Sequence, residues 1–203
     1  MKYCFLTGDS FEEDNPIWCP TAGQLLSEHY GCKWETFAKS AQGNFYIFNS
    51  IVENIKNKKY DMAAVCWSSI NRKDYITNFS NWQITPYTKS LKINDSHFSP
   101  ADQILYESLV LINAAQMLFE ANNIPYIMWW SINAIPSTYN QKNKEYISKI
   151  KSKNTFFNFD SCHYEFAKSS GHVYDKDDIH PDQEGHRLWF EKLREFEIKG
   201  IAK

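Results

Sequence analysis

The chain has 203 residues, of which 43% are hydrophobic and 23% charged, with a formal net charge of −2 and a pI near 6.3. That balance excludes whole-chain disorder, collagen and coiled coil. Without a basic excess it offers no footprint for nucleic-acid binding by phosphate neutralisation, and its length predicts one domain, residues 1–203, that needs no disulfide or metal staple to bury a core.

In chain order, Lys2–Thr7 is a short apolar run that stops at Gly8 and predicts a first strand. Thr21–Tyr30 predicts a helix closed by Gly31, and Lys33–Ala38 a second strand. Asn44–Asn57 predicts an amphipathic helix with Phe45, Phe48, Val52 and Ile55 on its apolar stripe. Asp61–Trp67 predicts a third strand. The stretch from Asn71 to His97 has no regular period and predicts an irregular insertion or lid around residues 71–98. Ser99-Pro100 supplies an N-cap and first-turn proline for a helix running to about Ala121. Its two apolar stripes, Ile104, Leu111, Ala115, Leu118 and Leu105, Leu109, Ile112, Phe119, predict a largely buried helix. Pro125–Ser131 and Thr155–Phe159 predict a fourth and fifth strand, separated by a solvated, lysine-rich helix face over Lys142–Lys153. A last helix, about Asp182–Glu197, presents Leu188, Trp189, Leu193 and Phe196 to the core. This alternation predicts an α/β fold with a mainly parallel sheet.

The five cysteines are odd in number and show no C-x-x-C spacing, so neither a zinc site nor a disulfide framework is expected. Met1–Leu6 is too short for the apolar region of a signal peptide, and no apolar run approaches about 18 residues. The expectation is a cytoplasmic chain without a membrane span.

Two segments at opposite ends carry chemistry. Gly8-Asp9-Ser10 follows the first strand, at the carboxyl edge where parallel sheets bind ligands. Asp177-Asp178-Ile179-His180-Pro181 precedes the last helix. In a turn, the three-residue spacing lets Asp177 reach one ring nitrogen of His180 and leaves the other as a base. Serine needs such a base to act as a nucleophile near neutral pH. Asp178 reads as a solvated neighbour. Asp177, Asp178 and His180 also have the donor types of a divalent-metal site, but no other cluster at ligand spacing completes one, so no metal or cofactor is expected. His163, His172 and His186 default to surface or capping roles. Arg72 ends up either on a substrate anion or in an ordinary loop ion pair. Trp129 and Trp130 point to opposite faces of their strand. One of them, with Trp67 and Trp82, either lines a sugar or acyl pocket or packs in the core.

Gly8-Asp9-Ser10, taken with Asp177-x-x-His180-Pro181 and the run through Gly185-His186, resembles the first and last blocks of the SGNH (GDSL-type) serine hydrolases. The resemblance implies a three-layer α/β/α, flavodoxin-like architecture with about five strands. It implies Ser10 as nucleophile, His180 as general base and then acid, Asp177 as its orienter, and the Ser10 amide as one oxyanion donor. The family's glycine donor falls on Gly43, or on Ala41 in another register. Its asparagine donor falls on Asn71 after a one-residue shift, because Ile70 occupies the unshifted position and Ser68 stands where the family has glycine. Asn44 and Arg72 are the candidate substrate contacts. The implied function is a serine esterase acting on a small-molecule or glycan ester, such as a carbohydrate O-acetyl group. The alternatives are an acyltransferase using the same triad, a non-catalytic glycan- or partner-binding protein of this fold, and a metal-dependent hydrolase. Oligomeric state is not legible.

Overall fold

The computed structural model describes residues 1–17, 19–70, 72–76, 81–84, 101–132, 135, 139–153, 155–175 and 178–196. Strand β1 (Lys2–Thr7) leads to helix α1 (Ala22–His29), β2 (Cys32–Thr36), α2 (Asn44–Ile55) and β3 (Met62–Trp67). A hairpin of β4 (Lys73–Ile76) and β5 (Asn81–Ile84) precedes α3 (Ala101–Ala121) and β6 (Tyr126–Trp130). Helices α4 (Gln141–Ser152) and α5 (His163–Ser169), the hairpin β7 (Val173–Asp175) and β8 (Asp178–Pro181), and α6 (Gln183–Glu195) complete the order.

The central sheet is parallel throughout, in the order β2-β1-β3-β6. Among the described residues it has four strands, where about five were expected. The expected fifth strand, Thr155–Phe159, reaches the edge only as an isolated parallel bridge between Met128 and Phe156. The Met128 amide donates to the Thr155 carbonyl at 2.9 Å and the Phe157 amide to the Met128 carbonyl at 2.7 Å; after a turn, Cys162 rejoins the edge in a second parallel bridge, to Trp130. Within the stretch expected to be irregular, β4 and β5 pair as an antiparallel hairpin. Residues 77–80 and 85–100, including Ser99-Pro100, lie outside the described residues.

Strand alternation sorts the core into two layers. Phe5, Ala63, Val65, Trp67, Met128 and Trp130 face α2, α3 and α4, while Leu6, Ala64, Cys66, Ile127 and Trp129 face α1 and α6. Trp67, Trp129 and Trp130 are therefore all core residues. The side chain of Trp82 lies outside the described residues. In α2 the sheet-facing stripe is Ile47, Ile51 and Ile55, not the series begun by Phe45, which is exposed. Helix α3 has the length and apolarity to cross a membrane, yet Leu105, Leu109, Ile112, Ala115 and Phe119 are wholly buried in the layer beneath it. Its apolarity is accounted for by the core.

Local chemistry sets the helix starts. Thr21 and Gln24 form a reciprocal capping box on α1, and the Asp182 carboxylate accepts the Gly185 amide at 2.7 Å to open α6.

Candidate active site

Strand β1 delivers Ser10. A Cβ on Gly8 would lie 2.9 Å from Cys66 Cβ and 3.0 Å from the Cys66 carbonyl oxygen, so glycine is required for the close approach of β1 and β3. The turn that follows is closed by the Glu12 amide donating to the Asp9 carbonyl at 3.1 Å. Asp9 is fully buried. Its Oδ1 accepts the Phe11 amide at 3.1 Å, and its Oδ2 accepts Ser131 Oγ at 2.7 Å and Arg72 Nη1 at 3.0 Å. Segments following β3 and β6 thus hold the turn that carries Ser10.

His180 arrives from the other end of the chain, on β8. Its Nε2 lies 2.6 Å from Ser10 Oγ. Its Nδ1 is hydrogen-bonded to Asp178 Oδ1, which also accepts the His180 amide at 2.9 Å. With a carboxylate on Nδ1, that nitrogen carries the proton and Nε2 faces the hydroxyl with its lone pair. Phe11 packs against the imidazole, with ring centroids 5.3 Å apart. Partial burial pushes the Asp178 carboxyl up, but the hydrogen bonds from the His180 amide and ring outweigh it and hold the group below its ordinary range.

The carboxylate brought to His180 Nδ1 among the described residues is therefore Asp178, where the sequence pointed to Asp177. On β8, residues two apart share a face, so Asp178, which reads from the sequence as a solvated neighbour, lies beside His180. Asp177 itself lies outside the described residues.

Gly43 also departs from expectation. Its amide donates to Asp74 Oδ1 at 2.7 Å, and Asp74 Oδ2 accepts the Tyr46 amide at 2.7 Å. Asp74, from β4, thus caps α2 across the gap, and the Gly43 amide is already taken. A Cβ there would lie 2.8 Å from the Arg72 carbonyl oxygen and from Asp74 Oδ2, which explains the glycine. Ala41 adopts a left-handed backbone with φ of 61°, uncommon for a residue with a side chain. Its loop is tied beside the serine turn by the Lys39 amide donating to the Gly8 carbonyl at 3.3 Å. Neither the Ser10 amide nor the Ala41 amide has an acceptor among the described residues. Asn71 lies outside the described residues, and Ile70 before it is a buried core residue.

Asn44 is buried and structural at both ends of its amide. Its Oδ1 accepts the Ser68 amide at 2.9 Å and its Nδ2 donates to Ser108 Oγ at 3.1 Å. Arg72 is engaged by Asp9. Both residues also line a cavity of about 520 Å³ with Phe45, Ile70, Ile104 and Leu111.

His163 and His186, expected at the surface, are wholly buried, together with Glu12. The signal for His186 was its place on the stripe continued by Trp189 and Leu193, three and seven residues on. Burial pushes the Glu12 carboxyl up to about 8 and the His186 imidazole down to about 3.

No protein-family model and no curated protein matches the sequence. Solved structures do match the fold. The psychrotrophic esterase EstA of Pseudoalteromonas sp., inhibited by monoethylphosphonate, superposes with a TM-score of 0.54 at 12% identity, over 97% of this chain and 96% of that one. A member of the lipolytic G-D-S-L family from Veillonella parvula gives 0.55 at 13% identity, over 96% and 97%. The acetyl xylan esterase Est2A of Butyrivibrio proteoclasticus gives 0.54 at 9% identity, over 96% of this chain and 63% of that one. The chain thus has the fold of the SGNH (GDSL-type) hydrolases, and at these identities the likeness is one of fold.

Proposed function

We propose that this protein is a serine esterase in which Ser10 is the nucleophile, His180 the general base and acid, and Asp178 the residue that orients the imidazole. The observation that carries the reading is the 2.6 Å contact between Ser10 Oγ and His180 Nε2, made by residues 170 positions apart, with a carboxylate on the opposite ring nitrogen. No packing requirement brings such a set together, whereas nucleophilic catalysis requires it.

In the first half-reaction His180 takes the Ser10 proton as Oγ attacks the ester carbonyl, then returns it to the leaving alkoxide. In the second, His180 takes a proton from water, which attacks the acyl-enzyme, and the proton returns to Ser10 as the acid departs. The Ser10 and Ala41 amides are the backbone donors to the oxyanion, and Asn71 is the side-chain donor. Each donor is worth about 3–4 kcal/mol of transition-state stabilisation. The cavity lined by Arg72, Asn44 and Phe45 is the site for the substrate's body. A small acyl group on a carbohydrate is the preferred substrate class, in keeping with the acetyl xylan esterase among the fold's relatives.

A fluorophosphonate probe tests the reading. Wild-type protein is expected to label and to turn over p-nitrophenyl acetate, and Ser10→Ala to do neither. A folded wild type that does not label would refute it.

A further inference from the structure

Behind the Ser10–His180 pair lies a second cluster that the esterase chemistry does not use. Glu12 stands two residues after Ser10, His163 opens α5, and His186 lies in the first turns of α6, six residues after His180. All three are fully buried. Each offers one ligand atom, a carboxylate oxygen or a ring nitrogen, and these atoms lie within 4.8 Å of one another. Glu12 Oε1, both ring nitrogens of His163 and Nε2 of His186 have no hydrogen-bond partner among the described residues. Native interiors rarely leave polar atoms unpaired, and three such ligand atoms, one from each residue, converging in one place point to a ligand that pairs them.

We propose that Glu12, His163 and His186 bind a divalent cation of the zinc class, which pins the segment carrying Ser10 to the helices flanking His180. Two imidazoles and a carboxylate are a donor set for zinc or a similar first-row ion. Calcium and magnesium prefer all-oxygen shells and are disfavoured by the two nitrogens. Bonds of about 2.0–2.2 Å put tetrahedral donors about 3.4 Å apart, so the three must draw in by up to about 1.4 Å from the 4.8 Å limit of their separation. The other Glu12 oxygen is already oriented by the Gly23 amide, which donates to Oε2 at 3.0 Å. Such outer contacts fix a ligand's direction. At His186 the ion displaces one long contact, the Ala22 amide to Nδ1 at 3.3 Å, because ligation through Nε2 moves the ring proton to Nδ1. Loading forms two metal–nitrogen bonds and one metal–oxygen bond, any proton on Glu12 leaves to solvent, and no electron moves. The fourth position falls to a water molecule. With no ligand exposed, the ion is taken up as the chain folds rather than by the folded protein.

The inference is independent of the esterase reading. The test is to unfold the full chain in guanidinium with EDTA and refold it with Zn²⁺, with Co²⁺ or without metal. Metal content is then measured after dialysis, and crystals are examined by anomalous diffraction at the metal edge. The expected result is about one equivalent per chain that survives native dialysis against EDTA, visible absorption in the Co²⁺ form, and an anomalous peak between Glu12, His163 and His186. Glu12→Gln and His163→Asn should each weaken retention at least about tenfold, while Ser10→Ala keeps the ion. Refolded wild type that retains no metal, or a peak elsewhere on the molecule, would overturn the proposal. The wild-type map decides even if the variants fail to fold. Metal bound between these residues in a protein that does not label with fluorophosphonate would sink the esterase reading and leave this one standing.

Discussion

Replacing Asp178 by alanine separates the geometry of this site from the arrangement that sequence spacing suggests. In the reaction His180 becomes an imidazolium, and the Asp178 carboxylate on Nδ1 stabilises it. With charge centres about 4 Å apart and an effective dielectric of about 20, that attraction is about 4 kcal/mol, or about three decades of rate. The Asp178 side chain is 34% exposed, so solvent screens part of this, and the expected loss in kcat/KM is about 10²- to 10³-fold. Asp178→Ala also removes the acceptor of the His180 amide, which Asp178→Asn partly restores, so the asparagine variant should fold better and react almost as slowly. Hydrolysis of p-nitrophenyl acetate and the rate of fluorophosphonate labelling should fall together, because both need the activated serine. Full activity in Asp178→Ala together with a hundredfold loss in Asp177→Ala would refute the reasoning and restore the three-residue spacing.

Arg72→Ala leaves the buried Asp9 carboxylate with the Ser131 hydroxyl and Phe11 amide as its remaining partners. It should destabilise the fold by about 3 kcal/mol, read as a lowered urea midpoint, and an unchanged midpoint would show the pair to be dispensable. Gly43→Ala drives a Cβ to 2.8 Å from the Arg72 carbonyl oxygen and Asp74 Oδ2; a loss of about 1–3 kcal/mol is expected in the same measurement. Asp74→Ala removes the acceptor of the Gly43 and Tyr46 amides and should cost about 1–2 kcal/mol, as loss of a helix cap does. The Asp178 carboxyl is held below its ordinary range in the folded chain, so the unfolded chain takes up its proton at higher pH. Its contribution to stability is present above about pH 4 and is lost as pH falls further, and Asp178→Asn should flatten that part of the stability profile.

The strands and helices of the sheet were legible because they carry strong periodic patterns, and Lys2–Thr7 matches β1 at both ends. Ser10 and His180 were legible for a different reason: one follows a strand and the other precedes a helix, so the positions alone put both at the carboxyl edge of the sheet. What the sequence concealed was conformation between the elements. Asp178 read as a solvated neighbour because a spacing of three suits a turn, but residues 178–181 form β8, where a spacing of two shares a face and brings Asp178 to His180 Nδ1. Gly43 was favoured as an oxyanion donor because it is glycine, yet its freedom serves a close approach to β4, and the left-handed residue in that loop is Ala41. Asp74 and Ser131 gave no signal at all, since each acts only through a partner far away in the chain.

The contact between Ser10 and His180 joins two ends of a chain, and a nucleophile and its base must stay within about 0.5 Å of their working geometry. A single turn after β1 does not secure that by itself. The structure supplies two separate restraints on the same short segment. Asp9, through Arg72 and Ser131, fixes the segment to the sheet edge, and Glu12 reaches back to the start of α1 and toward His163 and His186. The first restraint sets where Ser10 stands relative to β3 and β6; the second sets where it stands relative to α1 and, through the proposed ion, relative to α6, the helix that follows His180. A buried carboxylate on either side of the nucleophile is costly for stability unless fully paired, so hydrophobic residues would hold the core more cheaply. They would not hold direction. Hydrogen bonds and ion pairs fix angles as well as distances, and that is what a serine aimed at one nitrogen of one imidazole requires.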